Sequence, residues 1–191
     1  MQKTAVTAAE IAPVLAERWS PRAYDVNHEV SQHELLSILE AGRWAPSANN
    51  MQPWRYSVAV RGTELFDQIV GALTGFNQAW APRASALIVI SVLNQKPDGT
   101  PYAASMLDAG LTAQNMMIQT HELGLAAHPI AGMVHDDMRK VLDLADNLTI
   151  AMAMTVGKRA EPETLEGPAF EREVAPRTRL ELDEIVLHGK P

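Results

Sequence analysis

Arg43-Trp44-Ala45-Pro46-Ser47-Ala48-Asn49-Asn50-Met51-Gln52-Pro53-Trp54-Arg55-Tyr56 joins an apolar helical run to a strand-like run. Two prolines fence the polar middle, and each biases the residue before it toward extended backbone, so Ala45 and Gln52 are expected to be extended. A stiff loop of this kind presents Ser47, Asn49, Asn50 and Gln52 as uncharged donors and acceptors. Trp44 and Trp54 beside it can cover a planar ligand or bury a seam. No nucleophile here is paired with a base. The residues suit holding a flat polar molecule by neutral hydrogen bonds, although on composition alone a plain connector whose amides cap backbone groups is the better reading.

The loop is bounded on both sides by readable elements. Ser31-Gln32-His33-Glu34 is a capping box, and Leu35, Ile38 and Leu39 recur at helical spacing up to Gly42. Trp54, Tyr56, Val58 and Val60 alternate with polar or small residues, as in a strand with one covered face. Thr63 caps a helix carrying Leu65, Phe66, Ile69 and Val70. Residues 86–93 are a near-continuous apolar run, expected to be a strand covered on both faces. Residues 102–123 read as a long helix, apolar nearly all round, that Gly124 ends; such a helix belongs at the centre or at a subunit interface. Leu125 to Ile130 reads as a short strand broken by Pro129 and Gly132. Asp136 and Asp137 begin a helix through Leu144, and Leu148 to Val156 forms another buried strand.

At the start of the chain, Thr7-Ala8-Ala9-Glu10 reads as a capping box, although Pro13 can itself open the helix. Residues 158–191 shift to Pro, Glu and Arg and are expected to be an extended tail packed on the domain or on a partner. Helices alternating with about four strands give one α+β or α/β sandwich over residues 1–191.

Composition narrows the function. The chain of 191 residues has 16 cationic and 23 anionic side chains, a net charge of -7, which argues against nucleic-acid or anionic-membrane partners. With no cysteine, disulfides, thiolate catalysis and Cys-based metal sites are excluded. The first residues lack the apolar core of a signal peptide and no window is long enough to span a membrane, so a cytoplasmic protein is expected. His121-Glu122 lacks the second histidine of a zincin, and no other spacing fits a metal hydrolase.

Four further segments carry polar chemistry. Arg18-Trp19-Ser20-Pro21-Arg22 sets two guanidinium forks about a serine, a good anion site or a solvated surface cluster. Phe76-Asn77 precedes the apolar strand, where the asparagine can act as a helix cap. In Gly124-Leu125-Ala126-Ala127-His128-Pro129-Ile130-Ala131-Gly132-Met133, the last glycine permits unusual backbone or close approach of a ring, or simply a turn. His128 there suits acid–base work or a structural role. In Arg177-Thr178-Arg179-Leu180, alternate arginines on an extended segment point the same way, as an anion site or as a solvated basic tail.

Taken in order, these segments resemble the motifs of the FMN-dependent nitroreductase family. The resemblance spans Arg18 to Leu180. It implies a three-layer α/β/α sandwich with a mostly antiparallel sheet, forming an intertwined homodimer with FMN at the interface. By resemblance, Arg18, with Arg177 and Arg179, binds the FMN phosphate. Ser20 and Arg22 reach the ribityl chain and pyrimidine edge, where a cation stabilises reduced flavin. Pro46, Ser47, Ala48, Asn50 and Gln52 contact flavin from the neighbouring subunit. Asn77 bonds the ring near the nicotinamide, and the Pro129-Ile130-Ala131-Gly132 turn donates a backbone N–H to flavin N5 from Ala131 or Gly132. Trp19, counted by resemblance among the FMN-binding residues, stands where many members carry a second cation, and Met133 where an aromatic residue is common; both bear on substrate choice through the substrate side.

The implied activity is ping-pong hydride transfer from NADH or NADPH through FMN to a nitroaromatic, quinone or similar small acceptor, with no essential acid–base side chain. Enone reduction, dehalogenation or flavin fragmentation on the same fold, and a non-catalytic FMN carrier, stand as alternatives.

Overall fold

A computed structural model describes residues 3–189. Its centre is β2 (Ala86–Leu93), which pairs antiparallel with β1 (Trp54–Val60) on one side and β4 (Leu148–Gly157) on the other; β3 (Ala126–Ile130) adds antiparallel to β4, giving the order β1-β2-β4-β3. Residues 86–93 are apolar throughout because helices cover both faces. Successive side chains of a strand point oppositely. Ala86, Ile88 and Ile90 therefore enter one core, with Leu35, Ile38 and Met116, while Leu87 and Val89 enter the other, with Phe66, Ile69, Leu73 and Met138.

The first core lies under α2 (Gln32–Arg43) and α5 (Ser105–Glu122); the second lies under α3 (Glu64–Gly71) and α6 (His135–Val141). The result is the expected α/β/α sandwich, with every strand pairing antiparallel. The Ser31 box forms as read: Ser31 N–H donates to Glu34 Oε2 at 2.7 Å and Glu34 N–H to Ser31 Oγ at 3.2 Å, a cap that contributes about 1 kcal/mol. Helices α2 and α5 touch at Gly42, where an added Cβ would fall 2.5 Å from Met116 Cε. Gly124, at φ 73°, ends α5 in the left-handed region.

Several expectations need correction. No capping box forms at Thr7; α1 (Pro13–Glu17) begins at the proline, which lacks the N–H that a first turn leaves unpaired. Helix α5 is not apolar all round: Asp108, Thr112 and Thr120 are buried, while Met106 and Leu107 are exposed. Pro129 does not break β3 but lies within it, tolerated because β3 is the sheet edge. Helix α6 starts at His135 and stops at Val141. The segment after Gly157 is not extended throughout, since it holds α7 (Gly167–Val174) and α8 (Leu182–Ile185). Helix α7 is anchored by Glu173, only 1 % exposed, whose carboxylate accepts from the N–H groups of Arg22 and Ala23 at 2.7 and 3.3 Å. Among the described residues no helix is long and apolar enough to cross a membrane.

Candidate functional site

The turn after α1 carries Arg18, Trp19, Ser20 and Arg22. The chain returns to it after α7, so that Arg177 and Arg179 line the same cleft, of about 220 Å³. Arg177 fixes this return: its Nη1 donates to the carbonyls of Lys3 and Ala16 at 2.7 and 2.6 Å. Burial, then the charges of Arg177 and Arg179, lower the Arg18 pKa from its ordinary value. Among the described residues, none of the arginines lining this cleft forms an ion pair. Such clustering costs Coulomb energy that an anion would offset. Two donors at the cleft, Arg22 Nε and Trp19 Nε1, are buried without a hydrogen-bond partner among the described residues.

Arg22 leads from this cleft to the next group. Its guanidinium lies 5.7 Å from the Phe76 ring centre and 5.9 Å from that of Trp80. The Trp80 and His128 ring centres lie 4.6 Å apart with the planes tilted by 38°, and His128 Nδ1 lies 2.9 Å from the Pro21 carbonyl oxygen. Burial first, with Arg22 and Arg18 contributing against the opposing Pro21 and Ser20 carbonyls, pushes the His128 pKa down to about 4. The ring is neutral at pH 7, so Nδ1 donates and His128 ties the edge strand to the Ser20–Arg22 turn. This favours the structural reading of His128.

Asn77, in α4 (Gly75–Gln78), donates through Nδ2 to the Gly132 carbonyl at 2.9 Å. Ser20, Arg22 and Arg179 thus line one cleft, Arg22 lies near the Phe76 ring, and the next residue, Asn77, is bonded to Gly132. Pro129 and Ile130 end β3 just before this turn, and Ala131 within it is exposed. Met133 does not join the cleft: it is 7 % exposed, bridged to Leu73 and packed in the core.

The loop at residues 46–52 lies elsewhere. Ala48 N–H donates to Asp108 Oδ1 at 3.2 Å, and Tyr102 donates to Asp108 Oδ2 at 2.5 Å. This is the first turn of α5. Arg18 and Trp19 instead adjoin Met117 and His121 near its other end. From Asp108 to Met117 the helix advances roughly 14 Å, at ~1.5 Å per residue. Pro46, Ser47, Ala48, Asn50 and Gln52 are therefore not assembled with the arginine cleft within one chain.

Nor is Gln52 extended. It has φ 47°, beside Asn49 at 53° and Asn50 at 54°. Asparagine tolerates this region; Gln52 is held there by its N–H to Ser47 Oγ at 2.9 Å and its Nε2 to the Asn50 carbonyl at 3.1 Å. Of the two tryptophans, Trp54 is buried and Trp44 is 72 % exposed.

Arg172, which joins the cleft from α7, was not signalled in the sequence, because the segment carrying it read as extended tail. Lys3 also lies there, 4.5 Å above the Trp19 ring.

Comparison with known proteins agrees with the fold. A solved structure described as an oxidoreductase containing FMN is similar at TM-score 0.91 and 32 % identity, over 97 % of this chain and 94 % of that one. A protein of Archaeoglobus fulgidus, provisionally named NADH dehydrogenase/NAD(P)H nitroreductase, is 27 % identical over 78 % of this chain and 84 % of its own length. The oxygen-insensitive NADPH nitroreductase of Helicobacter pylori J99 is 40 % identical over 42 % of this chain, a match covering 37 % of that protein. The profile of the nitroreductase family matches residues 15–76 and 60–158. With sandwich, motif order and profile in agreement, this chain belongs to the nitroreductase family.

Proposed function

We propose that this chain is one FMN-binding domain of a homodimeric NAD(P)H oxidoreductase that reduces nitroaromatics, quinones or similar small acceptors. The observation that carries the reading is the meeting of Arg18 with Arg177 and Arg179 in one cleft, without carboxylate partners among the described residues. A phosphate dianion suits this donor set. The unpartnered Arg22 Nε and Trp19 Nε1 have donors to give.

FMN, when bound, supplies the hydride relay between NAD(P)H and the acceptor. For a nitroarene the balance is NAD(P)H, one proton and the nitro compound giving NAD(P)+, the nitroso compound and water. The protein's part is orientation and charge. Arg18, Arg177 and Arg179 hold the phosphate. Arg22 offsets negative charge on the pyrimidine edge. Asn77 and the turn at Ala131 and Gly132 would hold the ring, and protons would come from water. A second copy contributes Ser47, Asn50 and Gln52, since the loop and the cleft sit apart within one chain. Exposed apolar side chains, Met106 at 51 % and Leu107 at 67 % on α5 and Leu180 at 65 % after α7, are surface that such a copy would cover. A reaction drawing on NAD(P)H suits the cytoplasm, and a chain without cysteine needs no oxidising compartment.

Anaerobic titration of FMN-loaded protein with NADH and with NADPH tests this. Bleaching of the oxidised-flavin band by either, and its return on adding a nitroarene or quinone, is expected. A flavin that neither nucleotide bleaches would make the protein a carrier.

A further inference from the structure

We propose that Arg172, which lies over the Phe76 ring where it lines the arginine cleft, forms an anion site distinct from the phosphate's and selects acceptors that carry a carboxylate on a flat ring. The inference rests on the reading of the cleft as a flavin site and names a substrate class for it.

The arginines of the cleft fall into two groups, with Lys3 between them. Burial first lowers the pKa of both Arg18 and Arg22; beyond that, Arg18 feels Arg177 and Arg179, whereas Arg22 feels the opposing charge of Glu173 and then Arg172. Geometry gives the same division: the guanidinium carbons of Arg172 and Arg22 lie 4.2 and 5.7 Å from the centre of the Phe76 ring. A phosphate dianion satisfies the first group, and a reduced flavin's single negative charge is met by Arg22. Arg172 is left over, exposed and without an ion pair among the described residues. Its neighbour Glu173 cannot neutralise it closely, because that carboxylate is buried and accepts from the backbone of Arg22 and Ala23.

A guanidinium over an aromatic ring keeps its N–H fork free in its own plane. Phe76 thus gives Arg172 a flat backing, and the fork matches a carboxylate. The next residue, Asn77, is bonded to Gly132, so the site adjoins the turn assigned to the ring's reactive edge. An acceptor seated there would place its ring beside Asn77 and its anionic group on Arg172. A neutral acceptor of the same shape would forgo only the second contact.

Calorimetry of the FMN-loaded protein with benzoate and benzamide reads the site without turnover. Steady-state reduction of 4-nitrobenzoate against 4-nitrobenzamide reads it in the reaction. In the wild type the anionic member of each pair is favoured roughly tenfold or more, as for a hydrogen bond to a charged group. Arg172→Gln brings both ratios down to near one, and Arg172→Lys retains part of the preference. Equal binding of benzoate and benzamide by the wild type, or ratios that Arg172→Gln leaves unaltered, would overturn the proposal while the flavin reading stands. A chain that takes up no FMN would overturn both.

Discussion

Asn77 Nδ2 donates to the Gly132 carbonyl oxygen at 2.9 Å, and Thr74 N–H donates to the same oxygen at 3.0 Å. The start of α4 is thereby closed onto the turn after β3. The fit leaves no room for a side chain at Gly132: an added Cβ would lie 2.6 Å from Asn77 Nδ2 and 2.8 Å from Thr74 Oγ1. Gly132→Ala should therefore push aside the ends of the Asn77 and Thr74 side chains and lower stability by about 0.5–1.5 kcal/mol, the net worth of the hydrogen bond displaced. A urea midpoint equal to that of the wild type would show that the contact is slack.

Tyr102 and Asp108 hold the 46–52 loop from beneath. The buried Asp108 accepts from the Tyr102 hydroxyl at 2.5 Å and from Ala48 N–H at 3.2 Å, and the Tyr102 hydroxyl also reaches the Ala48 carbonyl oxygen at 3.2 Å. Tyr102→Phe removes a donor from a buried carboxylate. The expected loss is about 1.5–3 kcal/mol, as for hydrogen bonds to charged groups. Hydrogen exchange at Ala48 should quicken in the variant; unchanged protection there would separate the loop from this network.

His128 should give the fold a pH dependence. Its pKa falls from 6.5 to about 4 on folding, chiefly by burial. Between those values the unfolded chain binds a proton that the folded chain does not. Stability is therefore full above pH 6.5 and declines as pH falls toward 4, by up to ~3 kcal/mol at ~1.4 kcal/mol per pH unit. His128→Gln keeps a donor for the Pro21 carbonyl and should flatten that slope. An equal slope in the variant would place the titrating group elsewhere.

The elements legible in the sequence are those fixed by neighbours along the chain. The Ser31 box forms within one turn, and the Ala86–Leu93 run is a strand because residues of both parities are apolar and both faces are covered. Gln52 was not legible: the preference a following proline imposes is local and weak, and bonds to Ser47 and Asn50 override it. Arg177 and Arg179 stand out as an alternating pair, whereas Arg172 depends on Phe76, almost a hundred positions away. Helix α7 is held by the buried Glu173 against the Arg22–Ala23 backbone, a partner that no pattern within the tail reveals.

Equilibrium dialysis of FMN against riboflavin, with wild type and the Arg18→Ala/Arg179→Ala double variant, reads phosphate recognition by the arginine cleft most directly. The wild type should favour FMN about 100-fold or more, equivalent to ~2.7 kcal/mol. The double variant should lose that preference and purify without colour. Equal affinity of the wild type for the two flavins, or a yellow double variant that still prefers FMN, would contradict the assignment.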